Sequence, residues 1–317
     1  MSLDSSLQLR FKGDWGAFNL TRVCGWLAFG VFERTGALHH VIHTGRGMGD
    51  NLRALARGEV DVSVATPAGF AAMARDGRGI FEGEAMPELR AIGVVPHHDA
   101  LLIAVPDDVG ATTTSELRHL QPALRVAMAA DDGESFMGFG ARIALEASGI
   151  SLDDIVAWGG EVVYGEDPGE CVAHVNAGRA DSIVQEAIMT PWWDDLARSR
   201  NLRFLTLEPE AAASIKREYG LATMQVGAGY LTGMDSAVNA IDFSGWQVVV
   251  RDDLDSEVAT LLTAVMCETS DVLEAQYRHL PVRKSPLDYP ITPARLAEVA
   301  IPLHDAAAEY YARAGVV

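Results

Sequence analysis

The segment from Thr44 to Gly69 (TGRGMGDNLRALARGEVDVSVATPAG) constrains the fold more than any other part of the chain. It predicts a glycine-rich turn, a short helix capped by Asp50, a left-handed helix stop at Gly58 and a buried strand, after which Pro67 opens another helix. A helix that begins after such a turn presents unpaired backbone N–H groups, which suit an anionic ligand. This arrangement supplies no nucleophile and no metal, so it indicates binding rather than catalysis.

Strand-like and helix-like segments alternate along the whole chain, which is typical of an α/β protein with mainly parallel sheets. Two stretches echo each other in the order helix, glycine, acidic residue, apolar strand, polar turn and proline-started helix: ARGEVDVSVATPAG at 56–69 and NAGRADSIVQEAIMTP at 176–191. We therefore predict two similar lobes that face each other across a cleft, each with a sheet flanked by helices. Lobe one is predicted to comprise residues 1–106 and 222–317, and lobe two residues 107–221.

Charge and composition narrow the class of partner. The 317 residues carry 44 acidic and 25 basic side chains, which gives a formal net charge of −19. So acidic a chain argues against nucleic acid or an anionic membrane surface as the partner, and an anionic ligand needs a local positive site. The three cysteines, Cys24, Cys171 and Cys267, are far apart and have no metal-type spacing, so they do not decide the compartment.

Motifs of the common enzyme classes are missing from the sequence. There is no G-x-S-x-G, no H-E-x-x-H and no phosphate-loop lysine motif, and GRGMGD at 45–50 lacks the third glycine of a dinucleotide fingerprint. His97 and His98 are adjacent, and neighbouring residues of a strand point to opposite faces, so we do not expect them to bind one metal ion. We therefore predict no catalytic residue, no metal and no cofactor.

Five segments of the chain resemble the TAXI solute receptors, the substrate-binding subunits of one branch of the tripartite ATP-independent periplasmic (TRAP) transporters. The resemblance covers nearly the whole chain and is carried by KGDWGAFNL, TGRGMGDNLRALARGEVDVSVAT, LRAIGVVPHHDALLIAVPDDVGATTTSELR, VNAGRADSIVQEAIMTPWW and GAGYLTGMDSAVNAIDFSGWQVVVRDDLDSEVATLLTAVM. It implies the type II periplasmic-binding-protein fold, with the ligand held between two lobes. It also implies an extracytoplasmic solute-binding protein, expected to be a monomer. Such a protein captures a small organic anion, carboxylate or amino-acid-like, and delivers it to the membrane subunits of a TRAP transporter.

The chain departs from the family at two places. Met48 stands where the family usually has the serine of a Gly-Ser pair. In the second half of the chain, Phe136 and Met137 follow Ser135, where the family tends to have Gly-Ser-Gly-Thr. A cleft lined by these larger side chains suits a larger or more apolar organic anion, which is a hypothesis.

Ligands of open α/β sheets lie where the loops after strand ends meet helix N-termini. The loops expected to face the cleft are therefore 13–19, 44–51, 131–137, 185–193 and 227–230. Each of them contributes candidate ligand-binding residues, and a structural role is the alternative for every one.

Arg46 is the candidate carboxylate anchor, because a guanidinium grips a carboxylate with two parallel hydrogen bonds; a solvated loop arginine is the alternative. Trp15 and Tyr230 could stack on the ligand or line its binding site. The alternative is that they are ordinary core or surface aromatics. Ser135 and Asn51 could donate hydrogen bonds to the ligand or could only cap helices.

Gln185 comes at the end of a buried strand, where a polar side chain either contacts the ligand or bonds to nearby backbone. The other candidate ligand-binding residues are Gly16, Asn19, Met48, Thr66 and Phe136.

Two other functions remain compatible with these residues. ABC importers use solute-binding proteins of the same fold, so the transporter type depends on the resemblance. A cytoplasmic ligand sensor or enzyme of the same fold also stays open, because the first residues (MSLDSSLQLRF) contain no charged stretch followed by an apolar one, and no signal peptide is visible.

Overall fold

The computed structural model describes residues 5–14, 18–47, 49–187 and 191–316. Its residue contacts divide the chain into two compact units. Unit one runs up to His98 and resumes at Ser244, and unit two is Asp99–Phe243. The chain therefore passes from one unit to the other twice.

Twelve strands lie within the described residues, numbered along the chain: β1 (Arg10–Lys12), β2 (Val41–His43), β3 (Val62–Ala65), β4 (Leu89–Val95), β5 (Ala100–Pro106), β6 (Arg125–Met128), β7 (Glu161–Tyr164), β8 (Ser182–Glu186), β9 (Leu202–Leu205), β10 (Thr223–Val226), β11 (Val238–Asp242) and β12 (Trp246–Arg251). The α-helices described are α1 (Asn19–Thr35), α2 (Gly49–Ala56), α3 (Ala68–Asp76), α4 (Thr114–Leu120), α5 (Phe136–Ala147), α6 (Leu152–Ala157), α7 (Pro168–Asn176), α8 (Trp192–Arg200), α9 (Pro209–Tyr219), α10 (Ser256–Glu268), α11 (Ser270–Ala275), α12 (Pro293–Leu296) and α13 (Asp305–Arg313). In the part of the chain that the structure describes, none of these helices combines the length and apolarity needed to cross a membrane.

The sheet of unit one has five strands in the order β2-β1-β3-β12-β4. Strands β2, β1 and β3 are parallel, whereas β12 runs antiparallel to both β3 and β4. Since β12 is the strand that follows the return from unit two, the returning chain is paired deep inside the sheet of unit one.

The sheet of unit two has seven strands and follows the same plan. Its strands β7, β6 and β8 are parallel neighbours in that order, and β5 runs antiparallel to β8. Strands β9 and β11 both pair antiparallel with β5, and β10 pairs with β11. Each unit therefore contains three parallel strands in the spatial order second-first-third, followed by the antiparallel strand that enters from the other unit.

The sequence echo corresponds to an arginine–aspartate pair that is repeated in the two units. In unit one, Arg10 at the start of β1 pairs with Asp61 just before β3, with Nη2 and Oδ1 at 2.7 Å. In unit two, Arg125 at the start of β6 pairs with Asp181 just before β8, with Nη2 and Oδ1 at 2.5 Å. In both units the aspartate N–H also donates to the arginine carbonyl at 2.8 Å. The pair fixes the register of the first and third parallel strands, which positions the loops that leave their carboxyl ends.

Large side chains fill the core of each unit. Unit one buries Phe11, Phe70 and Trp246, and unit two buries Trp193 and Phe136, all to 1% exposure or less. Each such side chain contributes about 1.5–3 kcal/mol relative to an exposed position. Trp193 also donates from Nε1 to the carbonyl of Glu186 at 2.9 Å, which fixes the start of α8 against the end of β8.

The structure confirms the α/β class with two sheets flanked by helices, and it corrects two details. Both sheets are mixed rather than mainly parallel, because the fourth strand of each is antiparallel. The predicted crossings, after residue 106 and before residue 222, both fall inside unit two. The reason is strand pairing: β5 pairs with β8 and β9, and β10 and β11 join the same sheet. Gly58 has the predicted left-handed conformation (φ 69°).

We expect Asp181→Asn to lower the free energy of unfolding at neutral pH by no more than about 1 kcal/mol, because the pair is solvent-screened. The guanidinium of Arg125 holds the pKa of Asp181 below its ordinary value of 3.8. The stabilisation is therefore present above that value and is lost as the pH falls through the folded pKa. Urea unfolding of both proteins from about pH 7 down to 3 should show the difference shrinking with acidity. Asp153→Asn, an exposed acid of α6, is the control, and a difference that grows on acidification would contradict the sign.

Candidate functional site

The N-terminus of α1 is closed by a carboxylate of the chain itself. Asp14, in the loop between β1 and α1, is only 5% exposed. Its carboxylate accepts hydrogen bonds from the backbone N–H groups of Leu20 (3.0 Å) and Thr21 (3.1 Å), and from the hydroxyl of Thr21 (2.8 Å). A negative charge at a helix N-terminus is stabilising, so Asp14 serves α1 as a cap. These amide groups are already used and are not offered to a ligand.

Two helices of unit two, α5 and α7, are also capped by their own residues. The Oγ of Ser135 accepts from the N–H of Gly138 at 3.0 Å, and Asp132 in turn accepts from the N–H of Ser135 at 2.9 Å. Asp167 accepts from the N–H of Glu170 at 2.8 Å at the start of α7. The cap is the structural alternative foreseen for Ser135, and its role in ligand binding stays a prediction.

Helix α2 differs from these three helices. The backbone N–H groups of Gly49, Asp50 and Asn51 have no hydrogen-bond partner among the residues that the structure describes. Asp50 does not act as the predicted N-cap, because it lies in the first turn of α2 and its carboxylate accepts from the N–H of Arg46 at 3.2 Å. Helix α2 thus presents the unpaired donors and the positive dipole end that an anion needs.

Asn51 lies fully buried beneath this N-terminus. Its Nδ2 donates to the carbonyls of Lys12 (3.2 Å) and Gly13 (3.0 Å), which fixes the orientation of the amide. Its Oδ1 is buried and has no hydrogen-bond partner in the described part of the chain. An unsatisfied buried acceptor costs about 1–3 kcal/mol, and such atoms mark places where a ligand or water completes the structure.

Gly45 allows the side chains around the start of α2 to meet. A Cβ atom at this position would lie 2.4 Å from Asn51 Oδ1, 2.6 Å from Lys12 Cε and 3.0 Å from Asp50 Oδ2. Three side chains therefore converge on one side of a residue that must lack a side chain of its own.

Two basic side chains flank the start of α2. Lys12, the last residue of β1, has its Nζ 3.0 Å from Asp50 Oδ2, and its side chain is 17% exposed. Arg46 is half-buried in the turn between β2 and α2. Arg46 was a candidate from the sequence and stays a prediction, whereas Lys12 was not named there. The sequence does contain a signal for Lys12. It is a basic residue at the carboxyl end of a strand with alternating apolar residues, directly before the loop 13–19 that is predicted to face the ligand.

The other candidates of unit one have these positions. Asn19 is the first residue of α1, and its Oδ1 accepts from the hydroxyl of Tyr277 at 2.6 Å. Thr66 is half-buried between β3 and α3. Trp15, Gly16 and Met48 lie outside the described residues.

The candidates of unit two are more buried than expected for surface loops. Gln185 is fully buried; its Nε2 donates to Cys171 Sγ at 3.4 Å and its Oε1 accepts from the N–H of Glu186 at 3.0 Å, which is the local bonding foreseen as its alternative. Tyr230 is half-buried, and this burial raises the pKa of its hydroxyl to about 12. Phe136 is packed in the core. The hypothesis of a ligand contacting Met48 and Phe136 stays a prediction.

His97 and His98 have different surroundings. His97 is buried and stacks on Trp246, with ring centroids 4.5 Å apart, whereas His98 is exposed and pairs with Asp288 at 3.2 Å. Within the described ranges, no group of three or more His, Cys, Asp or Glu side chains is placed to hold a metal ion.

Comparison with known proteins supports a binding-protein fold. The model of the NMT1-like family matches residues 32–315, so the chain belongs to this family. No curated protein matches the chain. Among solved structures it is similar to a TctC solute-binding protein from Polaromonas, with 14% identity, a TM-score of 0.53 and coverage of 98% of each chain.

Two further structures share the fold over nearly the full length. PhnD1 from Prochlorococcus marinus, in complex with methylphosphonate, has 10% identity, a TM-score of 0.54 and coverage of 98% of this chain and 99% of that one. XAC2383 from Xanthomonas citri, bound to ATP, has 16% identity, a TM-score of 0.53 and coverage of 98% and 99%. At these identities the comparison establishes the fold. It does not separate the TAXI receptors from other solute-binding proteins.

Asp14→Asn should change how stability depends on pH. Burial raises the pKa of Asp14 above its ordinary value of 3.8, so its contribution to stability is present below that value and falls as the pH rises through the folded pKa. The free energy of unfolding of the wild type minus that of Asp14→Asn should therefore decrease as the pH rises above about 4. Urea titrations at each pH give this difference, and an increase with pH would contradict the prediction.

Gly45→Ala should destabilise the protein by about 1–3 kcal/mol, because a methyl group must displace Asn51 and Lys12. The backbone of Gly45 is not left-handed, so the cost comes from crowding alone. Gly25→Ala in α1 is the matched control: nothing lies within 4 Å of its added Cβ, and alanine favours a helix. Equal melting temperatures for both variants would contradict this packing.

Proposed function

We propose that this protein is a solute-binding protein and that the N-terminus of α2 holds the anionic group of its ligand. The observation that carries the proposal is the start of α2, where Gly49, Asp50 and Asn51 offer N–H groups without a partner among the described residues. Helix α7, in the equivalent place of unit two, is instead capped by Asp167.

Electrostatics favour the same place. With a net charge of −19, the protein as a whole repels an anion, so a local positive site is required. A helix N-terminus carries about half an elementary positive charge, and Lys12 and Arg46 add two basic side chains beside it. Arg46 supplies the fork-shaped guanidinium suited to a carboxylate.

We further propose that the protein works outside the cytoplasm, as a monomer, and delivers a small organic anion to a TRAP-type transporter. The support for this finer statement is the resemblance to the TAXI receptors, together with the solute-binding fold shared with the Polaromonas protein. The contact of the ligand with loops of both units also stays a prediction. Gene-dependent uptake that continues after ATP depletion, while ion gradients are kept, would support TRAP; uptake that stops with ATP would favour an ABC importer.

Native mass spectrometry of gently purified protein tests the general proposal. After denaturation, any released molecule is identified. A stoichiometric small organic acid would support a solute-binding protein. An empty protein that also shows no thermal shift across a panel of organic and amino acids would contradict it.

Arg46→Ala should weaken carboxylate binding by about tenfold or more, while the free energy of unfolding of the unliganded protein changes by less than about 1 kcal/mol. Isothermal titration with the identified acid gives the affinity. Arg313→Ala, in the last turn of α13, removes the same charge and is the control for the global field. If both variants bind as tightly as the wild type, Arg46 is not the anchor.

A further inference from the structure

We infer that this site selects monoanions over dianions and that Asp14 is the residue that excludes the second negative charge. The inference rests on the proposed function, since it names the charge class of the ligand that the N-terminus of α2 receives.

Asp14 lies directly beside the turn that leads into α2. Its carbonyl accepts from the N–H of Gly45 at 3.3 Å. A Cβ atom on Gly47 would lie 3.1 Å from Asp14 Cβ and 2.9 Å from Leu20 Cδ1. Gly47 has φ 73°, so a glycine is needed both for the backbone conformation and for this close approach. The turn therefore brings the N-termini of α1 and α2 together around Asp14.

Donors at the start of α1 hold the carboxylate of Asp14 in place. Leu20 N–H, Thr21 N–H and the Thr21 hydroxyl all donate to it, and its surroundings leave it almost no exposure. These donors favour the ionised carboxylate, whereas burial opposes it and has the larger effect, so that the pKa of Asp14 is raised. The donors fix the position of the carboxylate beside the turn.

Lys12 and Arg46 are the basic side chains described beside the turn, and Asp14 and Asp50 are the carboxylates. Lys12 and Asp50 form an ion pair at 3.0 Å. The α2 N-terminus adds about half an elementary positive charge to that of the basic side chains. This suffices to hold one anionic group. A second carboxylate of the ligand would face Asp14 and Asp50 in a chain whose net charge is already −19.

Matched pairs of acids test the inference: butyrate against succinate, and hexanoate against adipate, titrated calorimetrically into the full chain near neutral pH. For at least one pair, the wild type should bind the monocarboxylate about tenfold or more tightly than the dicarboxylate. Asp14→Asn should reduce that ratio by at least about threefold, since the negative charge is removed. Asp153→Asn, which removes an exposed carboxylate of unit two, should leave the ratio unchanged.

Each outcome decides the question. Dicarboxylates that bind as tightly as their partners in both pairs, or a ratio that Asp14→Asn does not change, overturn the inference and leave the proposed function standing. Binding of neither series to the wild type overturns the inference, whereas the proposed function is contradicted only by the empty protein without thermal shifts described above. Because Asp14 also caps α1, Asp14→Ser provides a second neutral variant with a good capping residue, and both variants are checked for wild-type melting before titration.

Discussion

The unpaired N–H groups at helix N-termini are the constraint on which the rest of this structure depends. Each helix that follows a parallel strand begins with donors that need an acceptor. In this chain the acceptor is a neighbouring side chain for α1, α5 and α7: Asp14, Ser135 and Asp167 respectively. For α2 the described residues supply none, and the buried Oδ1 of Asn51 beneath it is unsatisfied as well. The N–H groups of α2 can donate to an anionic ligand, whereas the Oδ1 of Asn51 needs a donor such as water.

The repeated arginine–aspartate pair explains how such a site is held in register. In each unit it ties the first parallel strand to the third, so the loops after them keep a fixed spacing. The two units share this framework and differ in how the equivalent helices begin, since α7 is capped by Asp167 whereas α2 is open. Within the described residues, the two units thus share one framework and differ at this equivalent helix start.

The features that depend on a few neighbouring residues could be predicted from the sequence. The Gly58 stop, the strand before Thr66 and the α/β alternation follow from local chemistry, and the structure bears them out. The antiparallel fourth strand of each sheet could not be predicted, because β5 and β12 find their partners far away along the chain. Lys12 and Asp14 were missed for a related reason. In the sequence, Lys12 is an ordinary strand-end residue and Asp14 an ordinary helix-cap residue. Only the fold shows that the turn at Gly45 and Gly47 packs against them.

The central claim is that an anion binds at the α2 N-terminus, and amide NMR on isotope-labelled protein tests it most directly. Backbone N–H resonances are followed while butyrate is added, with the acid released from purified protein as a second titrant. The predicted result is saturable shifts at Gly49, Asp50 and Asn51, with those of Leu20, Thr21 and Gly138 left unchanged, because their donors are already used. Shifts at Leu20, Thr21 or Gly138 without any at α2 would contradict it.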